Sequence, residues 1–419
     1  MRITILTFGS RGDVQPYVAL GAGLARAGHR VRIATHAQYR DLAAAQGLDL
    51  HVIDGNPAEI LASELGAGWL AGGRNPVAFV RGWLRVFEPL MHRAAAQSWD
   101  ACRDADAVAV SPLGLYAGRH VAERMAIPLL LAPYLPVSPT GAFPSPIMCV
   151  APGLGPLANR LTHAVSRQLM WLPARAALNR VRREVFDLPP LSLGGMAAEL
   201  RAGRWPVICG YSAHVVPRPP DWGDGVHVTG YWFVDAPSGW RPPPDLAAFL
   251  DDGPPPVYVG FGSMHVHDRD TIATVVGALS AAGRRGLLLT PPGLAGEVDL
   301  PDSVLAIEPC PHDWLFPRVA AAVHHGGAGT TAAALRAGVP SVVVPFFADQ
   351  PFWAWRVSAL GAGPPPVPRR RLTAGRLAGA IGAATGDPGI RDRAAELGRR
   401  IREEDGVRRA VEVFERCVG

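Results

Sequence analysis

Residues 324–354, HHGGAGTTAAALRAGVPSVVVPFFADQPFWA, hold the densest set of side chains whose types and spacing suit chemistry. Two imidazoles, His324 and His325, precede the small-residue loop Gly326-Gly327-Ala328-Gly329, and two hydroxyls, Thr330 and Thr331, follow it. A run compatible with a short helix, Ala332 to Ala337, comes next, with Gly338 placed to close it in a left-handed cap. An apolar strand over Ser341 to Val344 then leads to an acid–amide pair, Asp349-Gln350. Glycines let backbone approach a ligand closely, and a helix N-terminus offers unpaired N–H groups carrying partial positive charge. Those are the parts of a phosphate cradle, with polar side chains one strand further on to hold whatever the phosphate carries. A tight turn with packing glycines would need neither the imidazoles nor the threonines.

A second constellation opens the chain. Gly9-Ser10-Arg11-Gly12-Asp13 follows the apolar run Ile3 to Phe8, and Phe261-Gly262-Ser263-Met264 ends a similar run much later. Asp13 is a carboxylate on the first loop, where it can act as a base or cap the first helix, since Asp favours that position. One residue can do both. Ser10 reads either as a turn-former or as a contact to phosphate or acceptor, and Ser263 as a donor to phosphate.

The elements that must position these groups are strands alternating with helices. Ile3 to Phe8 suits a buried parallel strand, Pro16 the first turn of a helix closed by Gly28, and Val31 to Ala34 a second strand. Such βαβ units place ligands at the carboxyl ends of their strands. Further strands are expected at Ala107 to Val110, Leu129 to Ala132 and Val207 to Gly210. After the proline-rich Pro217 to Pro220, a second series runs through Val226 to Gly230, Val257 to Met264, Leu287 to Thr290, Leu305 to Glu308, Ala321 to His325 and Ser341 to Val344. Two strand-then-Gly-Ser starts imply two doubly wound halves with a cleft between them. Asn56–Trp99 and Pro133–Leu191 are poor in strand pattern and suit pocket-lining insertions.

Composition narrows the classes. The chain of 419 residues is long enough for two domains with full cores. All 41 basic residues are arginine, against 36 acids, for a net charge of +5. No basic cluster is interleaved with aromatics, which argues against nucleic acid as a partner; Arg182-Arg183, Arg369-Arg370-Arg371 and Arg399-Arg400 suit solvated helix faces or a loose peripheral contact with anionic lipid. The 5 cysteines are scattered without a C-x-x-C pair, which argues against a disulfide framework or a zinc site and favours a reducing compartment. Asp104-Ala-Asp106 and Asp268-Arg-Asp270 match a metal-binding Asp-x-Asp only in spelling, so no metal is expected. The apolar start runs at once into Gly9, Arg11 and Asp13, unlike a signal peptide, and Ile127 to Val137 is too short to span a bilayer. A cytoplasmic protein without a transmembrane segment is expected, its oligomeric state unread.

Taken together, GSRGDVQP (Gly9 to Pro16), FGSM (Phe261 to Met264) and the 324–354 motif resemble the inverting, nucleotide-sugar-dependent glycosyltransferases of the GT-B fold. The sterol 3-β-glucosyltransferases and the antibiotic-tailoring glycosyltransferases of actinomycetes are the most similar branches. The resemblance spans nearly the whole chain. It implies an α/β architecture of two Rossmann-like domains facing each other across a cleft: 1–217 for the acceptor, 218–400 for the nucleotide sugar, and 401–419 as a helix packed across both. It implies a hexose, glucose for preference, moved from a UDP- or TDP-sugar to a hydroxyl of a hydrophobic acceptor such as a sterol-like or polyketide aglycone. In this reading Asp13 is the general base; Ser263, His325, Gly327, Thr330 and Thr331 hold the diphosphate; and Asp349 and Gln350 bind the donor sugar. No cofactor is implied beyond the nucleotide sugar as co-substrate. The sequence departs from many relatives where a base-stacking tryptophan is expected, since those positions fall near Pro309 and His312 and the nearest tryptophan is Trp314. Uracil and thymine both stay open.

Three other classes compete. A non-catalytic helper of the same fold would be free to lose Asp13, His325 and Asp349-Gln350. A nicotinamide-dependent oxidoreductase would want Gly-x-Gly-x-x-Gly and an acid ending strand two, where Thr35-His36 stand. A nucleotide-sugar epimerase of the same fold is the nearest alternative enzyme.

Overall fold

The computed structural model describes residues 1–55, 90–148, 153–195, 205–237, 239–262, 269–290 and 300–418. They form two compact units, each built on a wholly parallel sheet.

The first unit holds residues 1–213, 218–234 and 405–419. Its strands are β1 (Arg2–Leu6), β2 (Arg30–Thr35), β3 (Asp49–Val52), β4 (Ala107–Val110), β5 (Leu129–Leu131), β6 (Val207–Cys209) and β7 (Val226–Val228), in the order β3-β2-β1-β4-β5-β6-β7. β4 is an Ala/Val run, and β1 is an Ile/Leu run broken only by Thr4 after the exposed Arg2; both are buried on both faces, as parallel strands covered by helices must be. The helix Arg11–Arg26 crosses over from β1 to β2 and packs Val14, Tyr17, Val18 and Leu24 into the core beside Ile5, Ile33 and Phe414. It starts five residues before Pro16, so that proline lies inside the helix and not in its first turn. Gly12 and Asp13 are already helical, which moves Asp13 from the expected loop to the helix's first turn.

The second unit holds residues 214–217 and 235–404. Its strands are β8 (Val257–Gly260), β9 (Gly286–Leu289), β10 (Val304–Ile307), β11 (Ala321–His324) and β12 (Ser341–Val343), in the order β10-β9-β8-β11-β12. The strand order runs outward in opposite senses from the centre, which leaves a switch point between β8 and β11, where open α/β sheets bind ligands. In register, His324 sits beside Gly260 of β8 and Val343 of β12, so three carboxyl ends lie level with one another.

Two expected boundaries shift. The proline-rich Pro217 to Pro220 reads as a linker, but β7 beyond it pairs with β6 in the first unit; apart from the short excursion of 214–217, the chain passes into the second unit at 234/235. The tail is two helices divided between the units. Pro388–Arg402 belongs to the second unit, and Gly406–Val418 returns to the first, where Val407 and Val411 fit against the bare backbone of Gly23.

Candidate active site

In the first unit the site grows from the carboxyl end of β1. Gly9 adopts φ +124°, open to glycine and strained for other residues, and turns the chain into the helix Arg11–Arg26. Asp13 reaches back over this turn. Its Oδ2 accepts hydrogen bonds from the Ser10 backbone N–H and the Ser10 hydroxyl, both at 2.7 Å. Ser10 is therefore the N-cap and Asp13 the acid three residues on, a capping-box pairing, and the Asp13 carboxylate also meets the helix's positive end. Ser10, a candidate contact to phosphate or acceptor, commits its hydroxyl proton to Asp13. A Cβ on Gly9 would lie 2.5 Å from Asp13 Oδ2, so the glycine makes room for the carboxylate.

Two neighbours were not anticipated from sequence. Tyr134, just past the carboxyl end of β5, donates its hydroxyl to Asp13 Oδ1 in a short hydrogen bond. His36, at the end of β2, accepts from the Gly9 N–H through Nε2 at 3.2 Å, while its Nδ1 lies 3.1 Å from the Ile53 carbonyl. That carbonyl can only accept, so Nδ1 carries the proton and the ring is neutral. Burial lowers the His36 imidazole below its ordinary value, in keeping with that tautomer. Tyr39 donates to the Gly9 carbonyl at 3.2 Å, which leaves Gly9 held through both backbone groups. The signal for Tyr134 and His36 was positional: both follow strand ends on the ligand side of the sheet.

Burial raises the Asp13 carboxyl above the usual carboxylate range, while hydrogen bonds from Tyr134 and Ser10 pull it back. A raised value is the direction a proton acceptor needs. The two carboxyl oxygens accept three hydrogen bonds between them out of roughly four lone-pair sites, so an incoming hydroxyl can still be received.

In the second unit, residues from the ends of β8, β11 and β12 converge. His324, at the end of β11, is fully buried; its Nδ1 accepts from the Gly326 N–H at 3.1 Å, and burial pushes the ring down to about 3. It shapes the loop from inside. His325 faces the other way, as successive strand residues must. Its ring is wedged between glycines: a Cβ on Gly262 would come within 2.8 Å of it and one on Gly327 within 2.5 Å. Burial pushes His325 down to about 4, so the imidazole standing here is neutral rather than protonated.

The helix after this loop begins at Ala328, four residues earlier than Ala332 as expected, with Gly327 as N-cap. Its first internal bond runs from the Thr331 N–H to the Gly327 carbonyl at 2.9 Å, so the N–H groups of Ala328, Gly329 and Thr330 have no carbonyl in the preceding turn. The threonines are thus first-turn residues, not loop residues. Thr330 keeps exposed surface; Thr331 is fully buried, and its hydroxyl has no partner among the described residues. Gly338 closes the helix at φ +74°, in the left-handed cap expected of it.

Past β12, Ala348 takes a left-handed φ of 55°, which turns the chain so that Asp349 and Gln350 open the helix Gln350–Ala359. Gln350 Oε1 accepts from the N–H groups of Phe346 at 2.8 Å and Phe347 at 3.3 Å. Two amide donors there fix the orientation of the carboxamide, whose NH2 remains the donor end. Asp349 Oδ2 accepts from Trp353 Nε1 at 2.8 Å. Ser263 lies outside the described residues. The structure therefore gathers His325, Gly327, Thr330, Asp349 and Gln350 on the carboxyl ends of neighbouring strands, and it holds Asp13 and Ser10 in the other unit.

The remaining sequence candidates resolve simply. Asp106 pairs with Arg2 and Asp104 with Arg32, both at 2.8 Å on the surface, and Asp270 sits in the first turn of a helix while Asp268 is outside the described residues. Trp314 packs against Trp240 beneath Arg318. His312 stacks on Phe316, with ring centroids 4.3 Å apart.

Each unit carries a parallel α/β fold of the kind seen in solved GT-B glycosyltransferases. Residues 3–144 match the glycosyltransferase family 28 N-terminal domain, and residues 292–417 match the erythromycin biosynthesis protein CIII-like C-terminal domain. Solved structures with this fold include the glycosyltransferase of kitacinnamycin, with a TM-score of 0.71 at 21% identity over 100% of this chain and 99% of that one. The calicheamicin glycosyltransferase CalG4 superposes with a TM-score of 0.66 at 21% identity, covering 100% of this chain and 98% of that one. In sequence the chain is similar to sterol 3-beta-glucosyltransferases: 38% identical to that of Emericella nidulans over 99% of its own length, and 37% identical to that of Candida albicans over 98%. It spans under a third of the length of those curated relatives, 30% and 27% respectively.

Proposed function

We propose that the protein is an inverting glycosyltransferase that moves a hexose, glucose for preference, from a nucleoside diphosphate sugar to a hydroxyl of a hydrophobic acceptor. The observation that carries this reading is the Asp13 carboxylate, pinned by Ser10 and Tyr134 at the end of β1 and made more basic by burial. The acceptor hydroxyl gives its proton to Asp13 as its oxygen bonds to the anomeric carbon. The bond from that carbon to the diphosphate oxygen breaks, and the nucleoside diphosphate leaves with the electron pair. Attack opposite the leaving group inverts the anomeric centre.

The second unit supplies what the leaving group needs. Free N–H groups at the start of the helix Ala328–Ala337, its dipole, the Thr330 hydroxyl and His325 all favour developing negative charge on a diphosphate. Asp349 and the NH2 of Gln350 are an acceptor and a donor suited to sugar hydroxyls, and buried polar partners of this kind discriminate against rings that leave them unpaired. A sterol-like acceptor is favoured by the similarity to sterol 3-beta-glucosyltransferases, and glucose as donor sugar by the same relatives. One structural neighbour, the glycosyltransferase VinC, was solved in complex with dTDP, so thymidine stands beside uridine as the donor nucleoside.

The test is a thermal-shift screen against UDP- and TDP-sugars, then a mass-spectrometric transfer assay with pooled hydrophobic alcohols. A gain of one hexose mass on an alcohol, absent in Asp13→Asn, is expected. Donor hydrolysis or epimerisation with no glycosylated product would overturn the reading.

A further inference from the structure

Gly9 is the point at which the Asp13 turn is least secured by its own backbone. A φ of +124° suits glycine, and glycine is also the residue whose neighbouring peptides turn most freely. Yet the peptide joining Gly9 to Ser10 must keep one orientation, because its N–H is the one that reaches Asp13 Oδ2 at 2.7 Å. Two side chains that follow β2 grip the turn. Tyr39, at the end of the short helix Ala37–Tyr39, donates to the carbonyl of that same peptide at 3.2 Å. Across a trans peptide the carbonyl and the N–H point to opposite sides, so Tyr39 and Asp13 hold one rigid plate by its two edges. His36 accepts from the N–H of the preceding peptide, that of Gly9, at 3.2 Å. The planes on both sides of the glycine are thereby pinned.

The grip depends on charge. Nε2 accepts from Gly9 while Nδ1 donates to the Ile53 carbonyl, a pair of bonds that only the neutral ring can make. A proton added at Nε2 would set donor against donor, and the ring or the Gly9 peptide would have to turn away. His36 is 7% exposed, with the rings of Phe8 and Tyr39 beside it at centroid distances of 6.2 and 6.5 Å. Among the described residues the charged group that acts on it is Asp13, and Arg11 of the same helix acts on Tyr39. Burial outweighs Asp13 and keeps the imidazole neutral to below its ordinary value.

We propose that His36 and Tyr39 are positioning residues for the base: neutral His36 locks the Gly9–Ser10 turn that presents Asp13, and protonated His36 releases it. Acid then stops transfer through two groups, Asp13 and the latch behind it. The inference rests on the reading of Asp13 as general base and adds to it a condition on its neighbour.

Hydrogen–deuterium exchange on the full chain, read by mass spectrometry, follows the turn without any turnover. The peptide containing Gly9 and Ser10 should exchange faster in His36→Phe and in Tyr39→Phe. It should return toward the wild-type rate in His36→Gln, whose amide oxygen can accept from Gly9 and does not titrate. In the transfer assay His36→Phe should lower kcat by roughly ten- to a hundredfold, the scale of a catalytic group misplaced by about 1 Å, with the donor KM unmoved. His36→Gln should recover most of that loss. At the acid end, over the range where tryptophan fluorescence stays native, wild-type kcat should fall by about two log units per pH unit, and that of His36→Gln by about one. Unchanged exchange in His36→Phe, or acid limbs of equal steepness in wild type and His36→Gln, overturns the proposal. Full turnover in Asp13→Asn would remove the base, and this proposal with it, whatever the exchange shows. Unchanged exchange beside an inactive Asp13→Asn removes the latch alone.

Discussion

Gly9 offers a direct test of how Asp13 is held, because a second glycine supplies its control. Both Gly9 and Gly28 lie in the first unit with positive φ, at +124° and +92°. A methyl group on Gly28 meets nothing within 4 Å, whereas on Gly9 it would sit 2.5, 2.7 and 2.8 Å from Asp13 Oδ2, Cγ and Cβ. The Gly28→Ala change therefore costs backbone strain alone, on the order of 1–3 kcal/mol. The Gly9→Ala change costs similar strain and also expels the whole Asp13 side chain, because the overlap reaches its Cβ and cannot be relieved by turning the carboxylate. Expulsion breaks the bonds from Ser10 and Tyr134 to that carboxylate. A hydrogen bond to a charged group contributes about 1.5–3 kcal/mol, so one such bond is a floor for the difference between the two variants.

In a unit of this size each kcal/mol moves the melting temperature by about 2–4 °C, so Gly9→Ala should melt roughly 3–12 °C below Gly28→Ala. Turnover separates them further. With its base displaced, Gly9→Ala should lose a hundredfold or more in kcat, the scale of a general base at about 10²–10⁴, while Gly28→Ala keeps wild-type kcat. Differential scanning fluorimetry and a product assay on the two purified variants suffice. Equal melting temperatures, or wild-type kcat in Gly9→Ala, would refute both the packing argument and the role given to Asp13.

Four further outcomes are expected. Asp13→Asn should abolish transfer and leave donor affinity intact by calorimetry; unchanged turnover removes Asp13 from the mechanism. Tyr134→Phe removes a donor that holds the Asp13 carboxyl down, so the acid limb of kcat/KM should move to higher pH, and an unmoved limb contradicts the contact. His325→Ala should weaken nucleoside diphosphate binding about tenfold or more, as loss of one polar contact to a charged group does; an intact dissociation constant in calorimetry sinks the cradle. Burial holds His120 at about 3, His163 at about 4, His324 at about 3 and His325 at about 4, all below the ordinary 6.5. The unfolded chain binds protons on these rings below 6.5 while the folded chain does not, so stability should fall as pH drops from 6.5 toward 4, by up to about 1.4 kcal/mol per ring per pH unit. A urea-unfolding series that is flat across that window would contradict the buried neutral state.

What could be read from the sequence was whatever depends on local pattern. Buried parallel strands are continuous Val/Ile/Leu runs, and glycines mark the turns after them, so β1, β11 and β12 were visible within a residue or two, and the start of β8 at Val257. Helix starts were harder. Both ligand-side helices begin earlier than expected, at Arg11 and Ala328, because small and polar residues after their N-caps, Ser10 and Gly327, adopt helical geometry without any apolar periodicity to announce it. The effect is functional: it makes Asp13 and the two threonines first-turn residues, placed by the helix itself. Pairing across distance was not legible. Nothing local says that β7 returns to β6 past a proline run, nor that Tyr134, 121 residues from Asp13, donates to it. Tyr134 stood inside Pro133–Leu191, legible only as a pocket-lining insertion without a role for any one residue, and His36 seemed merely the wrong residue for a nicotinamide site. Both follow strand ends, and in a parallel α/β sheet that position alone brings a polar side chain to the ligand side. The same logic turns Asp13 from an ambiguous residue into a dual one. The carboxylate that closes the capping box with Ser10 is also the one Tyr134 orients, so helix capping fixes the base in place, and any change that frays the first turn must cost activity as well as stability.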